Sequence, residues 1–169
     1  SLTTYGAGSL VGGIVALTVV RETGPLISSI MMTARAGSAI TAELGTMKAT
    51  EQVDAIRAMG LSPVDYLATP RILACLVMLP VATIFSNFAG VLGGGLVAVW
   101  QGQSPQAFQT SFKTLLEPSG SDILEGLVKA LVFGGIVGAV SNREGLRSSG
   151  GAARVGNSTI RSVVLSLTL

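Results

Sequence analysis

Long apolar stretches alternate along the chain with shorter polar ones. Apolar residues dominate positions 5–32, 72–100 and 123–140, and a fourth apolar run occupies positions 162–169 at the end of the sequence. A helix that crosses a membrane needs roughly 20 apolar residues. The first three stretches are long enough for this and the fourth is cut short. The pattern predicts an all-α integral membrane protein with several spans.

The connections between these stretches differ in how many basic residues they carry. Residues 33–71 carry four and residues 141–161 carry four, whereas residues 101–122 carry only Lys113. Cytoplasmic connections of membrane proteins are enriched in Lys and Arg. We therefore predict that residues 33–71 and 141–161 are cytoplasmic and that residues 101–122 are external.

Composition excludes several classes of function. The chain is 49% hydrophobic and only 12% charged, and its net charge of +2 is scattered, which disfavours binding to nucleic acid. It has no His, and Cys75 is its single cysteine. A His/Cys metal site, a disulfide framework and a Cys–His nucleophile pair are therefore not expected. We expect no metal, no nucleic-acid partner and no enzyme active site.

A short polar helix is predicted at residues 50–60, TEQVDAIRAMG, inside the first cytoplasmic connection. Thr50 is a suitable N-cap, and Glu51 and Asp54 place negative charge near the first turn, where the helix dipole favours it. Gly60 supplies a stop signal. The segment reads as a separate cytoplasmic helix of about three turns.

One side of this predicted helix is apolar. Val53, Ile56 and Met59 recur at helical spacing, while Arg57 lies away from them. A helix this short is marginal in water and must pack against something. Two interpretations stay open: the stripe packs on the protein's own chain, or it docks into a groove on a cytoplasmic partner.

Arg21 and Glu22 are charged residues in the middle of the first apolar stretch. Each costs roughly 2.5–3.5 kcal/mol in a membrane unless it faces a partner or a cavity. Pro25 cannot donate a hydrogen bond to the carbonyl of Arg21, so the helix is loosened beside the charges. We predict that Lys129 pairs with Glu22, with Glu125 one turn before Lys129. The group is either a network that fixes helix packing or a polar lining for a ligand.

The sequence also resembles a known family of permeases. The likeness runs over residues 21–80, from RETGPLISS to LACLVMLP, and continues through GLVKALVFGGIVGAV and SSGGAARVGNSTIRSVV. Its most specific part is ARAGSAITAELGTMKATEQVDAIRAMG. These motifs resemble the MlaE (YrbE) permease family. The chain looks like such a permease without its N-terminal helix, first span and C-terminal end.

The resemblance implies a helical bundle of five spans per subunit, of which about four lie in this chain, assembled as a homodimer. It implies two cytoplasmic ABC ATPase subunits, an MCE-domain protein on the far side, and a location in a bacterial inner membrane or plastid inner envelope. It implies transport of phospholipids or related lipids. No G-x-x-x-x-G-K-[ST] loop occurs in the chain, so ATP and Mg²⁺ are expected on the ATPase and no cofactor on this subunit.

The resemblance also implies roles for particular residues. In the family, the segment that matches residues 50–60 is the coupling helix, which sits in a cleft of the ATPase. The coupling residues would be Thr50, Glu51, Val53, Asp54, Ile56, Arg57, Met59 and Gly60. The lipid-contacting residues would be Leu2, Tyr5, Arg21, Glu22 and Lys129. Arg21 suits a lipid phosphate because its fork donates two parallel hydrogen bonds, and Tyr5 is equally suited to anchor the chain at the membrane interface.

Two other functions stay open. VDAIRAMGLSP also resembles the cytoplasmic EAA loop of ABC importers for small solutes, which likewise docks on an ATPase. The stretch RAGSAITAELGTM favours the lipid family instead. A membrane scaffold without transport activity is the third possibility.

Overall fold

A computed structural model describes residue 14 and most of the chain from residue 17 onward. The described residues are 14, 17–100, 102, 104, 106, 109, 110, 113, 121–148 and 151–168, without the side chains of 151–154. Every regular element among them is helical. Six are α-helices: α1 (Gly24–Met32), α2 (Ser38–Ala49), α3 (Gln52–Ala58), α4 (Thr69–Trp100), α5 (Ser121–Arg147) and α6 (Gly151–Thr168). Three are π-helical segments: Val19–Thr23, Thr33–Gly37 and Val64–Ala68.

Two described helices are long and apolar enough to cross a membrane. They are Val64–Trp100, which includes α4, and Ser121–Arg147, which is α5. Only 17% and 28% of their most apolar windows are buried. Their apolar side chains therefore face outward, as they would in lipid, instead of forming the core of a water-soluble domain. They coincide with the second and third predicted stretches, and α4 continues as a helix through Pro80.

The first predicted stretch differs from its expected boundary. The helix does not end near residue 32 but continues through Thr33–Gly37 into α2, as far as Ala49. Residues 33–49 contain no proline, and their small and polar residues end the apolar run without ending the helix. Much of the predicted connection 33–71 is therefore helical.

The chain folds into two compact units, and α4 and α5 contribute residues to both. One unit contains Ser1–Ile27 and Val81–Lys129, and the other contains Ser28–Pro80 and Ala130–Leu169. In the second unit α2 packs closely on α5. A Cβ atom added at Gly145 would lie 2.7 Å from the Cβ of Leu44, which leaves no room for a larger residue at position 145. Glycine thus permits the close approach of the two helices.

The order of the contacts gives the direction of the helices in this unit. Gly37 lies beside Ser141, and Gly45 lies beside Ser148, so α5 runs parallel to the helix that ends as α2. Gly134 lies against the backbone of Cys75, whereas Gly138 lies against Ile72, so α4 runs antiparallel to α5. These directions alternate as the distribution of basic residues predicts.

Candidate functional site

The helix α3 does not begin as the sequence pattern predicts. Thr50 is not its N-cap: the Thr50 hydroxyl donates to the carbonyl of Thr46 at 3.0 Å, in the last turn of α2. Glu51 stands at the N-cap position instead, with a left-handed φ of 62°. Because α2 continues to Ala49, the hydroxyl of Thr50 bonds back to that helix. The turn at Glu51 lets α3 begin directly afterwards.

The end of α3 follows a regular stop signal. Gly60 has a φ of 79° and its N–H donates to the carbonyl of Arg57 at 2.9 Å. The N–H of Leu61 donates to the carbonyl of Ile56 at 3.2 Å. These two bonds form a Schellman motif, in which glycine adopts the left-handed conformation without strain. The motif fixes the direction in which the chain leaves α3.

The apolar side of α3 faces the protein itself. Val53 is 2% exposed and Ile56 is 8% exposed, and both pack in a cluster with Leu44 and Leu67. The interpretation that Val53 and Ile56 dock on a partner is therefore wrong, because other side chains of the same unit cover them. The alternative, packing on the protein's own chain, holds for these two residues.

The outward side of α3 is charged and ends in an apolar tip. Asp54 and Arg57 are exposed and form an ion pair at 3.4 Å, which contributes little to stability because solvent screens it. Met59 is 67% exposed, and Leu61 beside it is also exposed. The surface of α3 that a partner could contact therefore consists of charged side chains, with two apolar side chains at the C-terminal end of the helix.

Two basic residues connect the helices near α3, one linking α2 to α5 and the other linking α4 to α2. The ammonium group of Lys48 donates to the carbonyl of Leu146 at 2.6 Å, one of the last carbonyls of α5, which lack partners within their own helix. The Nη2 atom of Arg71 lies 2.9 Å from a carboxylate oxygen of Glu43. The sequence pattern indicates Lys48 and Arg71 only as markers of topology. Their partners lie on other helices and carry no local signal.

Five charged residues converge in the other unit, and we call them the charge cluster: Arg21, Glu22, Asp122, Glu125 and Lys129. The Lys129 ammonium group lies 2.5 Å from a carboxylate oxygen of Glu22, so the predicted pair is confirmed. The same ammonium group lies 3.4 Å from the carbonyl oxygen of Arg21. That carbonyl is the one to which Pro25 cannot donate.

Arg21 is surrounded by carboxylates. Its guanidinium group lies 3.0 Å from Glu125, 3.6 Å from Asp122 and 3.8 Å from Glu22. The role of Asp122 is not predicted from the sequence pattern, which places that residue at the end of a connection. Its spacing of three and seven residues from Glu125 and Lys129, on one face of α5, is the signal that indicates it.

The charge cluster is accessible and lies near one end of α5. The side chains of Glu22 and Glu125 are 59% and 47% exposed, whereas Asp122 is 14% exposed. Asp122 belongs to the first turn of α5, and Lys129 lies about 27 Å along the helix from its other end at Arg147. The residues that α5 contributes to the charge cluster therefore lie in the first third of that helix, toward the end predicted to be external.

The backbone around Arg21 and Glu22 is irregular. Both residues lie in the π-helical segment Val19–Thr23, in which the N–H of Gly24 donates to the carbonyl of Val19. π-Helical turns are frequent at functional sites. Gly24 faces Asn87, whose buried side-chain oxygen has no hydrogen-bond partner among the described residues. The sequence pattern does not indicate Asn87, and Leu2 and Tyr5 lie outside the described residues.

Comparison with known proteins agrees with this architecture. The family model described as Permease MlaE matches residues 1–169. The chain belongs to the MlaE permease family. It is accordingly an all-α integral membrane protein of the MlaE permease type.

Curated relatives cover nearly the whole of this chain. A probable ABC transporter permease of Synechocystis is 39% identical over 96% of the chain, and one of Rickettsia felis is 39% identical over 98%. The chloroplastic protein TRIGALACTOSYLDIACYLGLYCEROL 1 of Arabidopsis thaliana is 40% identical over 98%. The chain spans 62% and 63% of the two bacterial relatives and 47% of the plant protein.

Proposed function

We propose that this chain is the main part of the membrane permease subunit of an ATP-driven ABC transporter that moves phospholipids or related lipids. Membership of the MlaE family supports the transporter class. The name of the Arabidopsis relative is that of a glycerolipid, which supports the class of cargo. The observation that carries the proposal is the charge cluster, an accessible polar group that adjoins long apolar stretches of the helices. An amphiphilic cargo needs both surfaces.

In this proposal the charge cluster meets the lipid headgroup. Arg21, Glu22 and Lys129 supply charge at the end of α5 that is predicted to be external, and Leu2 and Tyr5 contact the acyl chains. Carbonyl and carboxylate partners hold the Arg21 and Lys129 side chains in place, so the polar surface is formed before the lipid arrives. Such preorganisation lowers the entropic cost of binding.

The cytoplasmic side of the proposal concerns the ATPase. The outward surface of α3, with Glu51, Asp54, Arg57 and Met59, docks on an ABC ATPase that carries ATP and Mg²⁺. The inward surface, with Val53 and Ile56, belongs to the core with Leu44. Movement of the ATPase would thus be passed to α2 through packed side chains. An MCE-domain protein on the opposite side and a second copy of the permease complete the proposed assembly.

The proposal is tested by photo-cross-linking in the assembled complex. A photoreactive residue at Thr18, an exposed position one turn before Glu22, is expected to capture phospholipid. The yield of this cross-linked lipid is expected to change on addition of ATP. The same residue at Phe85, which is exposed on α4, reports bulk lipid. At Tyr66, which is exposed in the segment predicted to be cytoplasmic, it reports the background. Capture at Thr18 no greater than at Tyr66 would refute lipid transport through this site.

The importer of small solutes is the second candidate function. An accessible group of charges also suits a polar solute. Copurification with a soluble solute-binding protein in place of an MCE-domain protein, together with absence of lipid capture at Thr18, would favour the importer. Lipid cross-linking that is the same with and without ATP would favour a membrane scaffold without transport activity.

A further inference from the structure

The charge cluster contains more negative than positive groups. Arg21 and Lys129 are opposed by three carboxylates, those of Glu22, Asp122 and Glu125, so the charge cluster carries a net charge of about −1 when all groups are ionised. The only other charged residues between residues 101 and 129 are Lys113 and Glu117, which cancel. The end of α5 that is predicted to be external is therefore slightly acidic.

The geometry limits what a bare anion gains here. A phosphate that binds Arg21 competes with Glu125, which lies 3.0 Å from the guanidinium group, and it also lies near Asp122. A phosphate that reaches Lys129 meets Glu22 in the same way. Like charges at these distances repel each other. A headgroup with a net negative charge thus loses at the carboxylates much of what it gains at the cations.

A headgroup that carries both charges does not have this conflict. Its ammonium group pairs with a carboxylate of the charge cluster. Its phosphate then pairs with the Arg or Lys side chain from which that carboxylate has separated. Glu22 and Glu125 are the accessible carboxylates for the exchange, whereas Asp122 is mostly covered. Building on the proposed lipid transport, we infer that the charge cluster selects zwitterionic, amine-bearing phospholipid headgroups over headgroups with a net negative charge.

The test measures which lipid is captured. The full complex, with the photoreactive residue at Thr18 of the permease, is placed in bilayers of equimolar phosphatidylethanolamine and phosphatidylglycerol. Adducts at Thr18 and at Phe85 are then counted by mass spectrometry. We expect the ratio of amine-bearing to anionic lipid at Thr18 to exceed that at Phe85 by about tenfold, the order of discrimination that one uncompensated charge contact supplies.

Variants of the carboxylates identify the cause of the selectivity. Glu125→Gln and, independently, Glu22→Gln keep the side-chain shape and remove one negative charge, so each is expected to lower the ratio at Thr18 toward that at Phe85. Asp65→Asn removes an exposed carboxylate of Val64–Ala68, a segment predicted to be cytoplasmic, and is the control that leaves the ratio unchanged. If one of the glutamate variants fails to fold, the other and the wild-type ratio still decide the question.

Each result counts for or against the inference. A wild-type ratio at Thr18 equal to that at Phe85, or a ratio that neither glutamate variant changes, overturns the selectivity but leaves lipid transport intact. Absence of any lipid adduct at Thr18 above the background at Tyr66 overturns the proposed function itself. A ratio that falls in the glutamate variants and not in Asp65→Asn supports selection of the headgroup by charge.

Discussion

Gly126 sets the distance between α5 and the helix that carries Arg21 and Glu22. A Cβ atom added at this position would lie 2.5 Å from the carbonyl oxygen of Val20, a backbone atom that cannot rotate away. Lys129 follows one turn later and reaches Glu22 across the same contact. The missing side chain at position 126 is therefore what lets the two halves of the charge cluster meet.

We predict that Gly126→Ala destabilises the protein and separates Lys129 from Glu22. Overpacking of a tight contact costs about 1–3 kcal/mol, which thermal unfolding of the detergent-solubilised complex measures. Gly93→Ala is the matched control: an added Cβ there has open space, and alanine favours a helix by up to about 1 kcal/mol. Equal unfolding temperatures for the two variants would contradict this account of Gly126.

At the scale of elements, α3 has two surfaces with different roles. The apolar one anchors the helix in its unit, and the charged one remains free to contact other molecules. An amphipathic pattern indicates which side chains are covered but not by what. For that reason the sequence leaves open both packing and docking, and only the positions of Leu44 and Leu67 decide between them.

Substitutions on the two surfaces of α3 should therefore differ. Ile56→Ala leaves a cavity that costs about 2–5 kcal/mol and should expose Gln52–Ala58 to limited proteolysis. Met59→Ala is expected to change stability by no more than about 0.5 kcal/mol and to weaken copurification of the ATPase. Proteolytic protection that is the same in Ile56→Ala and wild type would argue that α3 does not depend on its core contacts.

The contact between Lys48 and the end of α5 is a second link between elements. Lys48→Met keeps the length of the side chain but removes the donor to the carbonyl of Leu146. The loss is expected to lower the free energy of unfolding by about 1.5–3 kcal/mol, the range for hydrogen bonds of charged groups. Thermal unfolding measures it, with Arg35→Met, an exposed basic residue on the same run of helix, as the control. A larger effect of Arg35→Met would contradict the assignment.

At the scale of the whole molecule, some features follow from the sequence and others do not. Apolar length predicts α4 and α5, because the membrane sets a minimum span. The pair of Glu22 and Lys129 is predictable because few partners exist for a charge in an apolar segment. The N-cap of α3 at Glu51 and the contact of Arg21 with Asp122 are not predictable from the sequence. Both depend on where a neighbouring helix ends or begins.

The alternation of the helices across the membrane is a prediction for the whole molecule. Basic residues are frequent in 33–71 and 141–161 and sparse in 101–122, which predicts that the first two segments are cytoplasmic and the third is external. The parallel course of α2 and α5 and the antiparallel course of α4 are the directions that this topology requires. Labelling of single cysteines tests it directly, because Cys75 is the chain's one natural cysteine.

In a Cys75→Ala background of the full-length permease, Ser119→Cys and Ser149→Cys are placed in the segments predicted to be external and cytoplasmic. Sealed right-side-out vesicles are treated with a maleimide that cannot cross the membrane. Ser119→Cys is expected to react at once, and Ser149→Cys only after detergent opens the vesicles. Cys75 is buried and nearly the size of alanine, so its replacement should not disturb the contact with Gly134. Equal labelling of the two cysteines in sealed vesicles would reject this topology and, with it, the placement of α3 beside a cytoplasmic ATPase.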